Sequence, residues 1–123
     1  MRKYVIFAAF FSLTAALFYM ASEEPKFTPA QQESLAKCLK DKGVKLYSTW
    51  WCGYCKKQEA AFGAAAKYLP KVECSSPGKH DQLAECEAAG IDGYPTWVFP
   101  DGSRIDRYVR DLRLLSEQAK CPL

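Results

Sequence analysis

The sequence predicts an α/β domain with one mixed four-stranded sheet and helices on both faces. Short runs rich in β-branched and aromatic residues alternate with longer segments of helical periodicity. Strands separated by helices form crossover units with parallel pairing. The last two extended runs flank an Asp-Gly turn at 101–102, which predicts an antiparallel hairpin at the edge of the sheet. With 123 residues, the chain is long enough for one small domain.

The first helix of this domain has clear sequence signals at both ends. Thr28 is suited to the N-cap, Pro29 to the first helical position, and Gln31 to the closing position of a capping box. We expect the helix to run to about Lys42 and to end at Gly43.

The next three elements surround a Cys-X-X-Cys motif. The run VKLYSTW at 44–50 predicts a strand, because β-branched and aromatic residues dominate it. The motif CGYC then begins an alanine-rich helix from Cys52 to about Leu69, and Pro70 terminates it. A short strand is expected at 71–74.

The second half of the domain is predicted as helix, hairpin and helix. The segment 80–90 is expected to form a short helix that ends at its glycine. The runs 96–100 and 103–108 form the hairpin, and 111–121 forms a closing helix with an apolar stripe.

The charge balance of the domain argues against nucleic acid as a partner. The formal net charge is +3, but Arg2 and Lys3 belong to an N-terminal targeting segment. Removing these two from the 17 basic residues leaves 15 against 14 acidic residues. A nearly neutral domain lacks the basic surface that binds phosphate backbones.

Residues 1–21 are predicted to be an N-terminal membrane anchor or a signal sequence. An uncharged apolar run extends from Tyr4 to Met20, and as a helix it would span roughly 26 Å, close to a bilayer core. Cleavage after Ala21 would need a small residue where Tyr19 stands, which favours an uncleaved anchor. The cleaved-signal alternative would give a soluble secreted or periplasmic protein.

Both the anchor and the signal sequence place the rest of the chain outside the cytoplasm, whereas a third alternative, a buried helix of a soluble protein, does not. Basic residues before an apolar helix stay on the cytoplasmic side, so the domain is expected on the extracytoplasmic, periplasmic face. We predict a linker at 22–28 and a domain at 29–123, with the N-terminal helix as its membrane contact.

Six cysteines suit an oxidising compartment, where disulfides persist. One interpretation is a disulfide scaffold without activity. Cys38 shares one helix face with Leu35 and Leu39, so we expect it to be a small buried residue.

The spacing of Cys52 and Cys55 indicates thiol–disulfide chemistry. A helix N-terminus carries partial positive charge and free N–H groups, which favour a thiolate, the nucleophile in disulfide exchange. Cys52 lies in the first turn beside the small Gly53, and Cys55 lies one turn further in. We therefore predict Cys52 as the exposed nucleophile and Cys55 as the resolving cysteine.

A zinc site is the structural alternative for this pair. Structural zinc sites use four ligands, usually including a second Cys-X-X-Cys or a paired histidine motif. The sequence has neither, and His80 is expected to be a polar residue of a loop or helix start. We predict no metal and no other cofactor.

The combination of WWCGYC with GIDGYPT at 90–96 resembles the thioredoxin superfamily over roughly residues 35–120. The resemblance implies a thioredoxin-like fold, here preceded by one N-terminal apolar helix. It also implies that Pro95 is a cis-proline facing the cysteine pair and that the backbone of Tyr94 pairs with extended substrates. The substrate-binding residues implied by the resemblance are Trp51, Gly53, Tyr54, Tyr94 and Pro95.

More narrowly, the chain resembles the thioredoxin-like domain associated with bacterial vitamin K epoxide reductase homologues. This resemblance implies that Cys74 and Cys86 form a structural disulfide, and that a membrane quinone reductase of that kind is the redox partner. Cys38 and Cys121 remain as a possible further pair. If the first and last helices lie on opposite faces of the sheet, both of those thiols are free and buried.

The chain departs from thioredoxin itself in ways that argue against a cytoplasmic reductase. Leu46 stands where thioredoxin has a buried carboxylate, Gly53 and Tyr54 replace its Gly-Pro, and Ala60 replaces its helix-kinking proline. The first strand is also missing.

These features together predict an exported thiol–disulfide oxidoreductase that acts mainly as a dithiol oxidase on protein substrates. Two alternatives remain: a membrane-tethered reductase or isomerase, and a redox-inactive binding module with the same fold.

Overall fold

The computed structural model describes residues 26–123. The expected membrane anchor or signal sequence and most of the linker lie outside these residues. Within them, no helix combines the length and the apolar character needed to cross a membrane.

The described residues contain the predicted order of helices and strands. The elements are α1 (Pro29–Asp41), β1 (Lys45–Ser48), α2 (Gly53–Ala61), a 3₁₀ segment (Gly63–Tyr68), β2 (Lys71–Glu73), α3 (Ala84–Ala88), β3 (Thr96–Val98), β4 (Arg104–Ile105) and α4 (Arg113–Ala119). The capping box of α1 is confirmed: the N–H of Gln31 donates to Thr28 Oγ1 at 3.2 Å, and the N–H of Thr28 donates to Gln31 Oε1 at 2.9 Å.

The four strands form one mixed sheet in the order β2-β1-β3-β4. Strand β2 runs parallel to β1, whereas β3 runs antiparallel to β1 and β4 antiparallel to β3. The expectation of parallel pairing for β3 is therefore wrong. Helix α3 has only five residues, so the connection does not return the chain to the end of the sheet at which β1 and β2 begin. Strand β3 instead starts beside the end of β1, with Thr96 opposite Tyr47.

The predicted helix over 52–69 is broken into two pieces. Helix α2 ends at Ala61, and the chain continues as a 3₁₀ segment from Gly63, whose φ of 53° lies in the left-handed region. The carbonyl of Ala61 accepts a hydrogen bond at 2.9 Å from Nε2 of Gln32 in α1. This tertiary contact satisfies a carbonyl at the helix end.

Helix α3 is shorter than the predicted 80–90, because hydrogen bonds to the preceding turn hold the residues before it. The N–H of Ser76 donates to Asp81 Oδ1 at 2.7 Å, and the N–H of Leu83 donates to the carbonyl of Cys74 at 2.8 Å. The helix therefore begins only at Ala84.

The sheet has an apolar cluster on each face. Leu46 and Trp97 are directly opposite in register and belong to the larger cluster, which contains buried side chains of α1, α4 and Phe62. Tyr47, the neighbour of Leu46, belongs to a smaller cluster with Cys74, Cys86 and Ile91. Alternate residues of a strand point to opposite faces, so α1 and α4 cover one face and α3 the other.

Two disulfides join elements within the described residues. One links Cys74 to Cys86, with 5.7 Å between the Cα atoms, and ties the end of β2 to α3. The other links Cys38 to Cys121, with 5.9 Å between the Cα atoms. The expectation that Cys38 is simply a small buried residue is therefore wrong. Because α1 and α4 share one face of the sheet, the arrangement that would have left Cys38 and Cys121 free does not occur.

Candidate active site

Cys52 and Cys55 lie at the start of α2 as free thiols. Cys52 is the N-cap, and its Sγ accepts a hydrogen bond from the backbone N–H of Cys55 at 3.1 Å. This contact satisfies one of the free N–H groups of the first helical turn. Cys52 is 7% exposed and Cys55 is 2% exposed, so Cys52 is the more accessible residue of the pair although both are largely covered. A Cβ placed on Gly53 would meet no heavy atom within 4 Å, so the approach beside Cys52 is open.

Burial, together with the hydrogen bond to Cys52, raises the pKa of the Cys55 thiol to about 11. Contacts with Ser48 and the backbone of Thr49 oppose this shift without cancelling it. Cys55 is consequently protonated at neutral pH and acts as a nucleophile only after it loses a proton.

The loop before β3 contacts the cysteine pair. The Tyr94–Pro95 peptide bond is cis, and Pro95 is buried. The thiol of Cys52 donates to the carbonyl of Tyr94 at 3.6 Å. Because this carbonyl is a backbone group next to the reactive sulfur, it can accept a hydrogen bond from an extended chain that reaches Cys52.

The other side of the motif is covered by an aromatic wall, the rings of Trp50, Trp51, His80 and Tyr94. The ring of Trp51 stacks on His80, with centroids 4.8 Å apart, and meets Tyr94 edge to face at 6.0 Å. Trp51 Nε1 also donates to Ser75 Oγ at 2.9 Å. Trp50, which is 45% exposed, meets the edge of the His80 ring at 5.6 Å. Sequence reasoning assigned His80 to a loop or helix start and did not foresee these contacts.

Gln58, which sequence reasoning missed, connects the cysteine helix to two other parts of the site. It is fully buried in α2, one turn beyond Cys55. Its Oε1 accepts from the N–H of Val109 at 2.8 Å and from Trp97 Nε1 at 3.2 Å, and its Nε2 donates to the carbonyl of Val109 at 3.0 Å. A signal was present in the sequence: Cys55, Gln58 and Phe62 follow helical spacing, which places Gln58 on the buried face.

A groove with a volume of about 350 Å³ opens beside the cysteine pair. One side is formed by Tyr54 and the Tyr94–Pro95 loop. The residues on its other side follow β4 and were predicted only as part of the hairpin; they are Asp106, Arg107 and Tyr108. They reach the groove because β4 ends at Ile105 and the chain then leaves the sheet.

The structure brings the sequence-predicted site residues together around Cys52. Trp51, Gly53 and Tyr54 surround it in the chain, and Tyr94 and Pro95 face it from the loop before β3. The four remaining cysteines form disulfides and are not available as zinc ligands. Over residues 26–123, no three His, Cys, Asp or Glu side chains are grouped so that they could hold a metal ion.

Sequence comparison places this site in a known family. The family profile described as Thioredoxin matches residues 26–117, which include every described element up to α4. The chain belongs to the thioredoxin family. The fold, the Cys-X-X-Cys motif at a helix start and the facing cis-proline loop agree with this assignment.

Two similar proteins are much longer than the chain. The thiol-disulfide oxidoreductase LTO1 of Arabidopsis thaliana is 42% identical over 72 residues, which cover 55% of this chain and 19% of that protein. The putative protein disulfide-isomerase C1F5.02 of Schizosaccharomyces pombe is 32% identical over 111 residues, 84% of this chain and 21% of that protein. The chain thus spans about a fifth of the length of these relatives.

Proposed function

We propose that this thioredoxin-family protein is an exported dithiol oxidase that transfers its Cys52–Cys55 disulfide to exported proteins. The observation that carries the proposal is the asymmetry of the pair. Cys52 lies at the open start of α2 against the Tyr94 carbonyl, whereas Cys55 is buried and holds its proton.

The enzyme class rests on the site and on the family together. The described pair is a Cys-X-X-Cys motif at a helix N-terminus, and both relatives are named for thiol–disulfide chemistry. The chain is a thiol–disulfide oxidoreductase. The direction of electron flow, the compartment and the redox partner belong to the proposal.

The oxidase reaction exchanges one disulfide for another. A substrate thiolate attacks Sγ of Cys52, the Cys52–Cys55 bond breaks, and Cys55 leaves and takes up a proton. The second substrate thiolate then attacks the substrate sulfur of the mixed disulfide and releases Cys52. Two electrons pass from the substrate dithiol to the enzyme, which is left with two reduced cysteines.

The raised pKa of Cys55 affects the lifetime of the mixed disulfide, although it also makes Cys55 a slower leaving group in the first step. In the mixed disulfide, Cys55 competes with the second substrate thiol, and its attack would restore the oxidised enzyme without oxidising the substrate. A protonated Cys55 is a poor nucleophile, so the intermediate persists long enough for the substrate to complete the exchange.

Export and recycling complete the proposal. The N-terminal segment would hold the domain on the outer face of the membrane, and two disulfides outside the motif suit an oxidising compartment. The narrower sequence resemblance supports a membrane partner similar to vitamin K epoxide reductase homologues. That partner would take two electrons and two protons from the reduced pair and pass them to a quinone, giving a quinol.

A reductase or isomerase role is the second candidate, and the name of the Schizosaccharomyces pombe relative favours it. An isomerase attacks substrate disulfides with a reduced Cys52. The same cysteine pair serves in either direction, since the reduction potential decides which occurs.

Stoichiometric disulfide transfer distinguishes these functions. The oxidised protein is mixed with an unfolded, reduced protein that contains one cysteine pair, and the products are separated after alkylation. We expect one substrate disulfide to form for each enzyme disulfide consumed, and none with the Cys52→Ala variant. If the oxidised enzyme leaves the substrate reduced while the reduced enzyme cleaves insulin disulfides rapidly, the oxidase proposal is wrong.

The division of roles is tested by trapping. The Cys55→Ala variant should accumulate mixed disulfides on Cys52, visible as reducible adducts on a gel, and the Cys52→Ala variant should form none. Adducts on Cys55 in the absence of Cys52 would reverse the assignment.

A further inference from the structure

The groove beside the cysteine pair adjoins another one toward the edge of the sheet. A second groove of about 370 Å³ is lined by Arg104, Ile105, Asp106 and Arg107. It shares Asp106 and Arg107 with the first groove, so the two meet at these residues. Because β4 is the edge strand of the sheet, the two grooves together extend from Tyr54 and the Tyr94–Pro95 loop to this edge.

The side chains along this groove carry more positive than negative charge. Within residues 26–123, neither Arg107 nor Asp106 has a hydrogen bond or an ion pair through its side chain. Arg104 donates from Nη1 to the carbonyl of Gly90 and from Nη2 to the carbonyl of Ala89, and these uncharged acceptors leave its charge uncompensated.

A further cation lies at the end of the groove near the cysteines. Lys57 Nζ is 4.9 Å from the ring centroid of Tyr54, which lines the groove. Lys57, Arg104 and Arg107 together outweigh the single carboxylate of Asp106.

We propose that this groove binds the peptide segment next to the substrate cysteine and selects acidic residues in it, with Arg107 as the main determinant. The proposal rests on the oxidoreductase function above and names the class of substrate it prefers. Tyr54 and Tyr108 offer ring surface to the peptide, and the unpaired guanidinium of Arg107 can receive a carboxylate bidentately. Complementary charge raises the rate of encounter and fixes the register of the bound segment.

Matched peptides test the charge preference. Two reduced peptides contain the same cysteine pair and differ only in three flanking residues, which are glutamate in one and lysine in the other. At low salt, we expect kcat/KM for oxidation to be about tenfold higher for the acidic peptide, and the ratio to approach one as salt screens the charges.

The Arg107→Glu variant should abolish or reverse this ratio. The Lys67→Glu variant makes the same charge change in the 3₁₀ segment, whose residues do not line the groove, and should retain the preference of the unmodified protein. Equal rates for both peptides in the unmodified protein, or an unchanged preference in Arg107→Glu, would overturn the proposal.

Binding without chemistry separates the groove from the oxidoreductase function. In the Cys52→Ser, Cys55→Ser double variant, peptide affinity is followed by tryptophan fluorescence. Tighter binding of the acidic peptide, lost in the added Arg107→Glu change, supports the groove even if turnover fails in the direction proposed. Equal affinities for the two peptides would reject the groove proposal and leave the oxidase function standing.

Discussion

At the scale of single residues, the site depends on polar groups that are buried beneath it. The spacing of Cys52 and Cys55 predicted their role, but sequence reasoning missed Gln58. The amide of Gln58 links the cysteine helix to β3 through Trp97, and to the backbone that follows the groove residues through Val109. A buried polar residue of this kind is hard to recognise from one sequence, because its partners come from distant parts of the chain.

The first prediction concerns this amide. The Gln58→Leu change keeps a side chain of similar size but leaves the N–H groups of Val109 and Trp97 without their acceptor. We expect the free energy of unfolding to fall by about 2 to 4 kcal/mol, measured by urea denaturation of the oxidised protein. The exposed Gln118, which donates to Ser103 Oγ, is the control, and Gln118→Leu should change stability by about 0.5 kcal/mol or less. Equal losses of stability in the two variants would show that the buried hydrogen bonds of Gln58 contribute no more than the exposed one of Gln118.

The second prediction concerns the protonation of Cys55. In the Cys52→Ser variant, Cys55 is the single free thiol of the described residues, and its ionisation can be followed by the ultraviolet absorbance of the thiolate. Because burial raises the pKa, we expect the midpoint to lie above the ordinary thiol value of 9.0.

The raised pKa of Cys55 also makes the stability of the folded protein depend on pH. Between pH 9 and pH 11, the unfolded chain loses the Cys55 proton while the folded chain keeps it, so ionisation favours unfolding. The contribution to stability is complete below pH 9 and is lost as the pH rises toward 11. The Cys52→Ser, Cys55→Ser variant gives the background. A thiol midpoint at or below 9.0 would contradict the account of Cys55 as a buried, protonated residue.

At the scale of elements, the sequence predicted a helix or strand best where the signals for its start lie within the element itself. The capping box and proline at the start of α1 fixed its position within the sequence, and the helix follows that prediction. The end of α2, the start of α3 and the direction of β3 depend on contacts between distant segments, such as Gln32 with Ala61. Local patterns do not encode these contacts. The sequence therefore placed the cysteines, the Pro95 loop and His80 in its loop, but it missed the ring contacts of His80, Gln58 and the groove residues after β4.

The third prediction concerns the loop closed by Cys74 and Cys86. The loop holds the aromatic wall, because Ser75 receives the indole N–H of Trp51 and His80 stacks on its ring. Replacing both cysteines with serine should lower the free energy of unfolding by about 3 kcal/mol. It should also slow disulfide transfer at a temperature where the variant is fully folded, because Trp51 loses its support beside Cys52. Unchanged transfer by the folded variant would show that the loop serves stability alone.

At the scale of the whole molecule, the second disulfide joins the first and last helices of the domain. The Cys38–Cys121 bond spans 83 positions of the sequence and closes almost the whole described chain into one loop. Sequence reasoning left this pair open, because it could not tell whether the two helices share a face of the sheet. The common apolar cluster of α1 and α4 explains why they do.

The fourth prediction compares the Cys38–Cys121 bond with the Cys74–Cys86 bond. Replacing Cys38 and Cys121 with serine should lower the free energy of unfolding by about 4 to 5 kcal/mol, because the constrained loop is longer. Disulfide transfer at a temperature where the variant is folded should equal that of the unmodified protein, since neither cysteine contacts the active site. A transfer defect of the size expected for the Cys74–Cys86 variant would contradict this separation of roles.

The measurement that tests the central claim most directly is the redox state of Cys52 and Cys55 in living cells. Cells are quenched with acid, free thiols are alkylated with a mass tag, and the protein is resolved by its shift on a gel. The Cys52→Ala, Cys55→Ala variant, which keeps the other four cysteines, marks the fully oxidised position. We predict that most of the unmodified protein migrates at that position during growth, because the resting form of an oxidase between reaction cycles contains the Cys52–Cys55 disulfide. A protein that carries two mass tags in growing cells, and so keeps the pair reduced, would contradict the account.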